Sequence, residues 1–181
     1  KKGKKIQLCD IIDNEIKDNS LRNGFPKSFD SHIKQLKTKK IINHKDFTDI
    51  PFVTIDGQDS KDFDDAVWSE TKKGITNIMI AISDVSFFIE KNDPLDLEAK
   101  KRGNSFYFPD IVIPMFPNEI SNDICSLIPN EERASVITEI KIKNFKVISF
   151  KIHRAKIISV ARLTYNAVSY THLTLPTISV V

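Results

Sequence analysis

Cysteine and long apolar runs are both scarce in this sequence. The 181 residues include 2 Cys, Cys9 and Cys125, and neither has a second thiol or a histidine at metal-ligand spacing. A disulfide framework and a zinc site are therefore not expected. No window approaches the roughly 18 uncharged apolar residues that a membrane helix needs, and no apolar signal-peptide core follows the first lysines. We expect a cytoplasmic protein without a membrane segment.

Glycine is also infrequent, and the overall composition excludes wholesale disorder. The chain has 5 Gly and 8 Pro, with 40% hydrophobic and 28% charged residues, close to the average of globular proteins. This length suits one domain and a flank.

The net charge of +3 is too small to identify a partner. However, lysines gather in residues 1–5 and 34–45 and acids in residues 46–65, and an acidic centre with basic flanks suits metal-assisted phosphate chemistry.

The hydrophobic pattern predicts short strands after about residue 50 and helices before and between them. Helices are predicted at residues 10–18, at 29–39 with Ser28 as N-cap, and at 94–102 with Gly103 as the stop. The predicted strands share β-branched or aromatic runs; they cover 1–8, 51–55, 66–68, 75–85, 106–108, 111–113 and 136–160. Turns are predicted at residues 73–74 and 143–144. The expected fold class is α+β, with a mixed, largely antiparallel sheet and flanking helices.

The segment from Asp56 to Asp65 places five carboxylates in ten residues between two apolar strands. Such a density repels itself unless a positive charge holds it. Asp62 and Asp64 point to the same side of an extended chain, and a loop that folds back could bring Asp56 and Asp65 to meet them. Converging oxygen ligands are what Mg²⁺ prefers. Metal ions bound there could orient a water and neutralise a leaving oxyanion, so no nucleophilic side chain is needed to cleave a phosphodiester.

The acidic segment has two other interpretations. A calcium EF-hand that starts at Asp56 would need Gly at position 6 and Glu at position 12, but Lys61 and Val67 stand there, so this interpretation fails. An exposed acidic turn that keeps the loop in water is the usual fate of a charge run. The apolar residues around the loop, such as Phe63, argue for an embedded loop. The 4 His show no pairing with it, which gives no support for a histidine general base.

Several sequence blocks then resemble one known family, in the family's order. Residues 49–57 (DIPFVTIDG) and 62–67 (DFDDAV) resemble the signature of the ribonuclease II/R catalytic domain, called RNB. Further blocks are similar to the same family: AISDVS (81–86), RGNSFYFP (102–109), VIPM (112–115), SNDICSLIP (121–129) and ARLTY (161–165). The resemblance covers residues 46–168. Residues 1–45 resemble, more loosely, the end of a cold-shock domain and a linker helix.

The resemblance implies a 3′-to-5′ exoribonuclease that hydrolyses single-stranded RNA to nucleoside 5′-monophosphates. It further implies Mg²⁺ as cofactor, with Mn²⁺ as a substitute, and we expect a monomer. Asp56, Asp62, Asp64 and Asp65 match the family's four active-site aspartates, and Asp64 stands where catalysis depends most on the carboxylate. Asp59 falls outside the pattern.

The resemblance also implies RNA contacts outside the acidic loop. Tyr107 matches an aromatic that stacks on a base near the 3′ end, although a tyrosine packed in the core is the alternative. Arg102, Arg162 and Tyr165 are further candidates for phosphate or RNA contact. An arginine at a helix end is more often a partner of the helix dipole or of a surface acid, and that alternative stays open.

Some features depart from the family pattern. A later arginine that holds the scissile phosphate and an S1 domain are absent from this sequence, so we expect a fragment that is inactive by itself. Residues 169–181 resemble translated sequencing-adapter read-through instead of the family. Two rival functions remain: a catalytically inactive RNA-binding module, and another magnesium-dependent phosphodiesterase such as a DNA nuclease or a phosphatase.

Overall fold

The computed structural model describes residues 7–173, so the predictions for residues 1–6 and 174–181 lie outside the described range. The helices are α1 (Leu8–Asp18), α2 (Phe29–Lys37), α3 (Val85–Phe88), α4 (Pro94–Arg102) and α5 (Tyr165–Leu173). The strands are β1 (Lys45–Asp46), β2 (Phe52–Asp56), β3 (Asp65–Lys72), β4 (Ile75–Ser83), β5 (Phe106–Tyr107), β6 (Val112–Ile113), β7 (Glu132–Lys143) and β8 (Lys146–Thr164). A π-helical turn spans Ile120–Ile124.

Six strands form one mixed sheet in the order β1-β8-β2-β3-β4-β7. Strand β8 also pairs with β7, so β8, β2, β3, β4 and β7 close into a ring. The pairings of β8 with β1 and β2 are parallel, and the others in this sheet are antiparallel. The predicted class, a mixed and largely antiparallel sheet with flanking helices, is confirmed.

Two hydrophobic cores hold the elements together. The core of the ring consists of buried aromatic, aliphatic and alanine side chains; it includes Phe52, Phe63, Ala66, Ala81, Leu127, Ile137, Ala155 and Ile157. The second core joins α2, α3 and α4 to the π-helical turn; it includes Phe29, Ile33, Leu36, Phe88, Leu95, Ile120 and Ile124. Burial of each large apolar side chain contributes about 1.5–3 kcal/mol. Ala134 of β7 also belongs to the second core, so the helices pack against the ring at β7.

Both predicted hairpins are present. The turn between β3 and β4 uses Lys73 and Gly74 with φ of 50° and 73°, the positive values that a two-residue type I′ turn needs. The turn between β7 and β8 uses Asn144 and Phe145, with φ of 49° and 60°, one residue later than predicted. The two short strands predicted at residues 106–108 and 111–113 form β5 and β6, which pair antiparallel with each other.

The helix predictions are mostly confirmed. Helix α4 begins and ends as predicted: Asp93 Oδ1 accepts a hydrogen bond from the Leu95 amide at 2.8 Å, and Gly103 follows with φ of 80°. Ser28 occupies the N-cap position of α2 as predicted, but its side chain makes no capping hydrogen bond. The strand predicted for residues 1–8 is wrong at Leu8, which begins α1. In the described range, no helix is long and apolar enough to cross a membrane.

Candidate active site

The acidic segment connects β2 to β3 at one end of the ring. Asp56 is the last residue of β2 and lies opposite Thr164 of β8. Asp65 is the first residue of β3 and lies opposite Ile82 of β4. The other two candidate ligands, Asp62 and Asp64, therefore stand in a loop whose two ends are fixed by the sheet.

Hydrogen bonds from buried residues fix the backbone of this loop. The hydroxyl of Ser126, which is fully buried, donates to the Lys61 carbonyl at 2.9 Å and accepts from the Phe63 amide at 3.0 Å. The Leu127 amide donates to the Phe63 carbonyl at 2.8 Å, and the Ser83 amide donates to the Asp64 carbonyl at 2.8 Å. Phe63 itself packs in the core of the ring. These contacts argue against a free acidic turn in water.

The aspartates repel one another at this position. Desolvation raises the pKa of Asp64 above its ordinary value of 3.8, and the negative charges of Asp62, Asp65 and Asp56 raise it further. Burial also raises the pKa of Asp56, as do the charges of Asp65 and Asp62, whereas the positive charge of Arg162 lowers it. All four carboxylates therefore lie close enough for their charges to interact.

Arg162 supports the acidic loop from β8. Its guanidinium donates to the Gly57 carbonyl at 2.7 Å and to the Gln58 carbonyl. The same group lies 5.2 Å from the centroid of the Phe63 ring. Because it also lowers the pKa of Asp56, Arg162 both orders the backbone of the loop and offsets part of its negative charge.

Tyr107 faces the acidic loop from the small two-stranded sheet. Its side chain is 68% exposed, so the alternative of a tyrosine packed in the core is wrong. The Tyr107 hydroxyl donates to Asp62 Oδ2 at 3.4 Å. Desolvation raises the pKa of Tyr107, and the charge of Asp62 adds to this shift. The phenol is therefore held in its neutral form, with its ring available to solvent.

Two cavities meet at Tyr107 and Asp62. One, of about 290 Å³, is lined by Asp62, Asp64, Ile82 and Tyr107 among others. The second, of about 440 Å³, is lined by residues 57–62 of the acidic loop and by Tyr107. Both cavities therefore border Asp62 and Tyr107.

The two remaining candidates, Arg102 and Tyr165, have different surroundings. The side chain of Arg102 is 3% exposed. Its guanidinium binds Glu98, donates to the backbone carbonyls of Arg22, Gly24 and Pro114, and stacks on Phe25 at 3.8 Å. The guanidinium of Arg102 is therefore bound by groups of the protein itself, and Arg102 is not part of the proposed RNA surface. Tyr165 is 62% exposed and directly follows Thr164, the residue opposite Asp56.

The donor set has the chemistry of a site for a hard divalent cation, although its ligands are not gathered. The Asp56 Oδ2 atom is buried without a hydrogen-bond partner, and an unpaired buried carboxylate oxygen is costly unless a cation balances it. Within residues 7–173, however, no three Asp, Glu, His or Cys side chains are close enough to form a complete metal site. The residues fit a magnesium ion by chemistry and charge, and binding would draw the carboxylates together.

Sequence reasoning missed two buried residues, Ser126 and Asp84, whose hydrogen bonds fix the segments around the site. Ser126 lies within a block that resembles the family, but no spacing rule could reveal that its hydroxyl bridges two backbone groups of a loop 63 and 65 residues earlier in the chain. Asp84 is likewise buried, where it caps α3 through the Phe87 amide at 3.1 Å and binds Arg154 at 3.0 Å. It follows Ser83, whose amide holds Asp64, and so anchors the end of β4 beside the site.

Comparison with known proteins gives the same class as this geometry. The family model described as RNB domain matches residues 44–173. Ribonuclease R of Buchnera aphidicola is 46% identical over 141 residues, which are 72% of this chain and 19% of that protein. Ribonuclease R of Escherichia coli is 45% identical over 125 residues, or 68% of this chain and 15% of that protein. The chain belongs to the RNB domain family, in its ribonuclease II/R branch.

A solved structure supports the fold. Mycoplasma genitalium RNase R, in complex with ribose methylated single-stranded RNA, matches with a TM-score of 0.85 and 30% identity, covering 94% of this chain and 28% of that chain. Yeast Ssd1, described as a pseudonuclease, matches with a TM-score of 0.68 and 16% identity, over 88% of this chain and 19% of that chain, and shows the fold alone. The chain spans less than a fifth of the length of the two ribonuclease R relatives.

Proposed function

We propose that this chain is part of the catalytic domain of a 3′-to-5′ hydrolytic exoribonuclease that releases nucleoside 5′-monophosphates from single-stranded RNA. The observation that carries the proposal is the acidic segment: burial and repulsion among its four aspartates raise the pKa values of Asp56 and Asp64, and two of the four, Asp62 and Asp64, line a cavity that also presents the exposed Tyr107. Membership of the RNB family supports this function. The complex of Mycoplasma genitalium RNase R with single-stranded RNA supports the substrate class.

The proposed metal ligands are Asp56, Asp62, Asp64 and Asp65, and the proposed ion is Mg²⁺, with Mn²⁺ as a substitute. When bound, the ion would supply positive charge to the scissile phosphate and would acidify a water molecule. Asp64 stands between Asp62 and Asp65 in sequence and borders the smaller of the two cavities. We therefore assign to Asp64 the role of positioning the attacking water. Burial and the neighbouring carboxylates raise the pKa of Asp64, and a neighbouring cation would favour its ionised form.

The other residues bind and orient the RNA. Tyr107 offers an exposed ring on which a base near the 3′ end can stack, and such stacking tolerates any base sequence. Its hydroxyl, by donating to Asp62, keeps the ring beside the aspartates. Arg162 holds the loop backbone in place, and Tyr165 stands at the same end of the ring as Asp56. Together these groups would position the terminal phosphodiester over the carboxylates.

A catalytically inactive RNA-binding module remains the rival function. All four aspartates are present, and a protein that only binds RNA gains nothing from carboxylates beside phosphate, because like charges repel. A DNA nuclease or a phosphatase would use the same acidic chemistry. The substrate experiment below separates these possibilities.

The experiment compares single-stranded RNA with DNA of the same sequence. Because the relatives are much longer than this chain, we propose that residues 1–181 alone have no measurable nuclease activity. The assay therefore uses the chain continued after residue 168 with the C-terminal part of a ribonuclease R. Release of nucleoside 5′-monophosphates from RNA, with DNA left intact, supports the proposal. Equal hydrolysis of DNA, or RNA binding without any hydrolysis, would contradict it.

A further inference from the structure

The tips of the two hairpins lie side by side, at the end of the sheet away from the acidic loop. Lys72 of β3 lies opposite Ile75 of β4, Ile75 lies opposite Lys143 of β7, and Lys143 lies opposite Lys146 of β8. These four residues form a single row across four strands, and directly opposed side chains share one face. We call residues 72–75 and 143–146 the lysine tip.

The lysine tip concentrates positive charge with little to balance it. Lys73, Lys143 and Lys146 are exposed, and within the described part of the chain no salt bridge is formed by any of the three. Lys72 is paired with Glu70 at 2.8 Å. Like charges directly opposite each other on neighbouring strands destabilise the pairing. The opposed Lys143 and Lys146 therefore favour a ligand that brings negative charge to this end of the sheet.

Phe145 adds an aromatic face to the same tip. Its side chain is fully exposed, at 103%, and its φ of 60° lies in the left-handed region, which bulky residues rarely adopt. Glycine is the preferred residue at the second position of such a turn. Phenylalanine is thus unfavourable at this position for two reasons: its backbone has a positive φ, and its apolar ring is exposed to water. An exposed aromatic between lysines is the combination that proteins use to bind single-stranded nucleic acid.

We propose that the lysine tip is a second contact for single-stranded RNA, separate from the acidic loop. In this arrangement the lysines bind phosphates and the Phe145 ring stacks on a base. The inference rests on the proposed function, which supplies RNA as the partner. Strand β3 runs from Asp65 in the site to Lys72 at the tip, seven residue steps, or roughly 23 Å at the usual rise of a strand. The tip would therefore hold nucleotides at a distance from the reacting 3′ end.

The test measures binding of a fluorescein-labelled oligouridylate to the full chain by anisotropy, over a series of salt concentrations without divalent metal. The double variant Lys143→Ala/Lys146→Ala should reduce the slope of log affinity against log salt by about 1.4, since each phosphate contact of a single strand contributes about 0.7. A control variant, Lys34→Ala/Lys91→Ala, removes the same charge from exposed positions elsewhere and should leave the slope unchanged.

The variant Phe145→Gly separates the aromatic contact from stability. Loss of one stacked base should weaken binding at least about fivefold. The melting temperature should equal or exceed that of the wild type, because glycine adopts a positive φ without steric cost. A purely structural role for Phe145 would lower the melting temperature and leave RNA affinity intact.

Three outcomes would overturn the inference. Wild-type affinity in both tip variants would leave the tip as a surface for a protein partner. An equal change of slope in the tip variant and the lysine control would show that only net charge matters. If the wild-type chain binds no RNA at all, the inference fails, and the cleavage assay of the extended protein then decides the proposed function by itself.

Discussion

At the scale of the residue, Asp64 is where binding and cleavage should separate. Burial and the neighbouring aspartates raise the pKa of Asp64. Replacing Asp64 with Asn removes one negative charge from this acidic cluster and leaves the surrounding backbone hydrogen bonds in place. We expect the rate of RNA cleavage in the extended protein to fall at least about a hundredfold, the scale of losing one electrostatic group that acts in the transition state. RNA affinity should be retained. Equal losses of affinity and rate would argue that Asp64 is structural.

The pH dependence of stability follows from the raised pKa values of Asp56 and Asp64. A carboxyl group whose pKa is higher in the folded than in the unfolded state favours folding when protonated. Without metal, the free energy of unfolding should therefore fall as the pH rises from 3.8, the ordinary pKa of an aspartate, through the raised pKa values of the folded state. Above those pKa values it should stay low. Asp64→Asn should unfold at higher denaturant concentration than the wild type at pH 7. This advantage should vanish below pH 3.8, and its persistence there would contradict the assigned cause.

Arg102 should matter for stability and not for RNA. Its guanidinium binds Glu98 and three backbone carbonyls. Arg102→Ala removes these hydrogen bonds and takes one of two arginine partners from the buried Glu98 carboxylate, at about 1–3 kcal/mol. We expect a lower midpoint of denaturation and unchanged RNA affinity under conditions where the variant is folded. Lys101→Ala, an exposed neighbour, serves as the control. Weaker RNA binding with unchanged stability would restore Arg102 as an RNA contact.

At the scale of the element, the acidic loop depends on the segment beneath it. Ser126→Ala removes the bridge between Lys61 and Phe63 and should lower the free energy of unfolding by about 1–3 kcal/mol. Because the aspartates would then be held less rigidly, Mg²⁺ affinity measured by calorimetry should also fall. Ser31→Ala, which loses only an exposed local hydrogen bond, is the matched control. Unaltered Mg²⁺ binding in Ser126→Ala would show that the sheet alone positions the loop.

The hairpins and α4 could be predicted because their signals are local. Alternating apolar residues with a Lys73–Gly74 turn define β3 and β4, and a proline and a glycine delimit α4. The four aspartates could be placed on one loop between strands for the same reason. The parallel pairing of β2 with β8 could not be predicted, because it joins residues 107 or more positions apart, such as Phe52 and Ser159. The enclosure of Arg102 depends equally on distant segments.

At the scale of the whole molecule, the ring of strands explains why the acidic residues lie together. Strand β8 is 19 residues long, so it can pair with β7 over its first part and with β2 over its last. This arrangement sets Asp56, Arg162 and the start of α5 at the same end as Asp65. Electrostatic repulsion among the aspartates is therefore imposed by the closed sheet, and a bound cation would relieve it.

The central claim is metal-dependent hydrolysis of RNA from its 3′ end, and the most direct measurement is a product analysis with and without chelation. Single-stranded RNA with a free 3′-hydroxyl and a labelled 5′ end is incubated with the extended protein in Mg²⁺. The account predicts progressive shortening from the 3′ end with nucleoside 5′-monophosphates as products, activity restored by Mn²⁺, and none after exhaustive chelation. Undiminished degradation after chelation, or internal cleavage products, would contradict it.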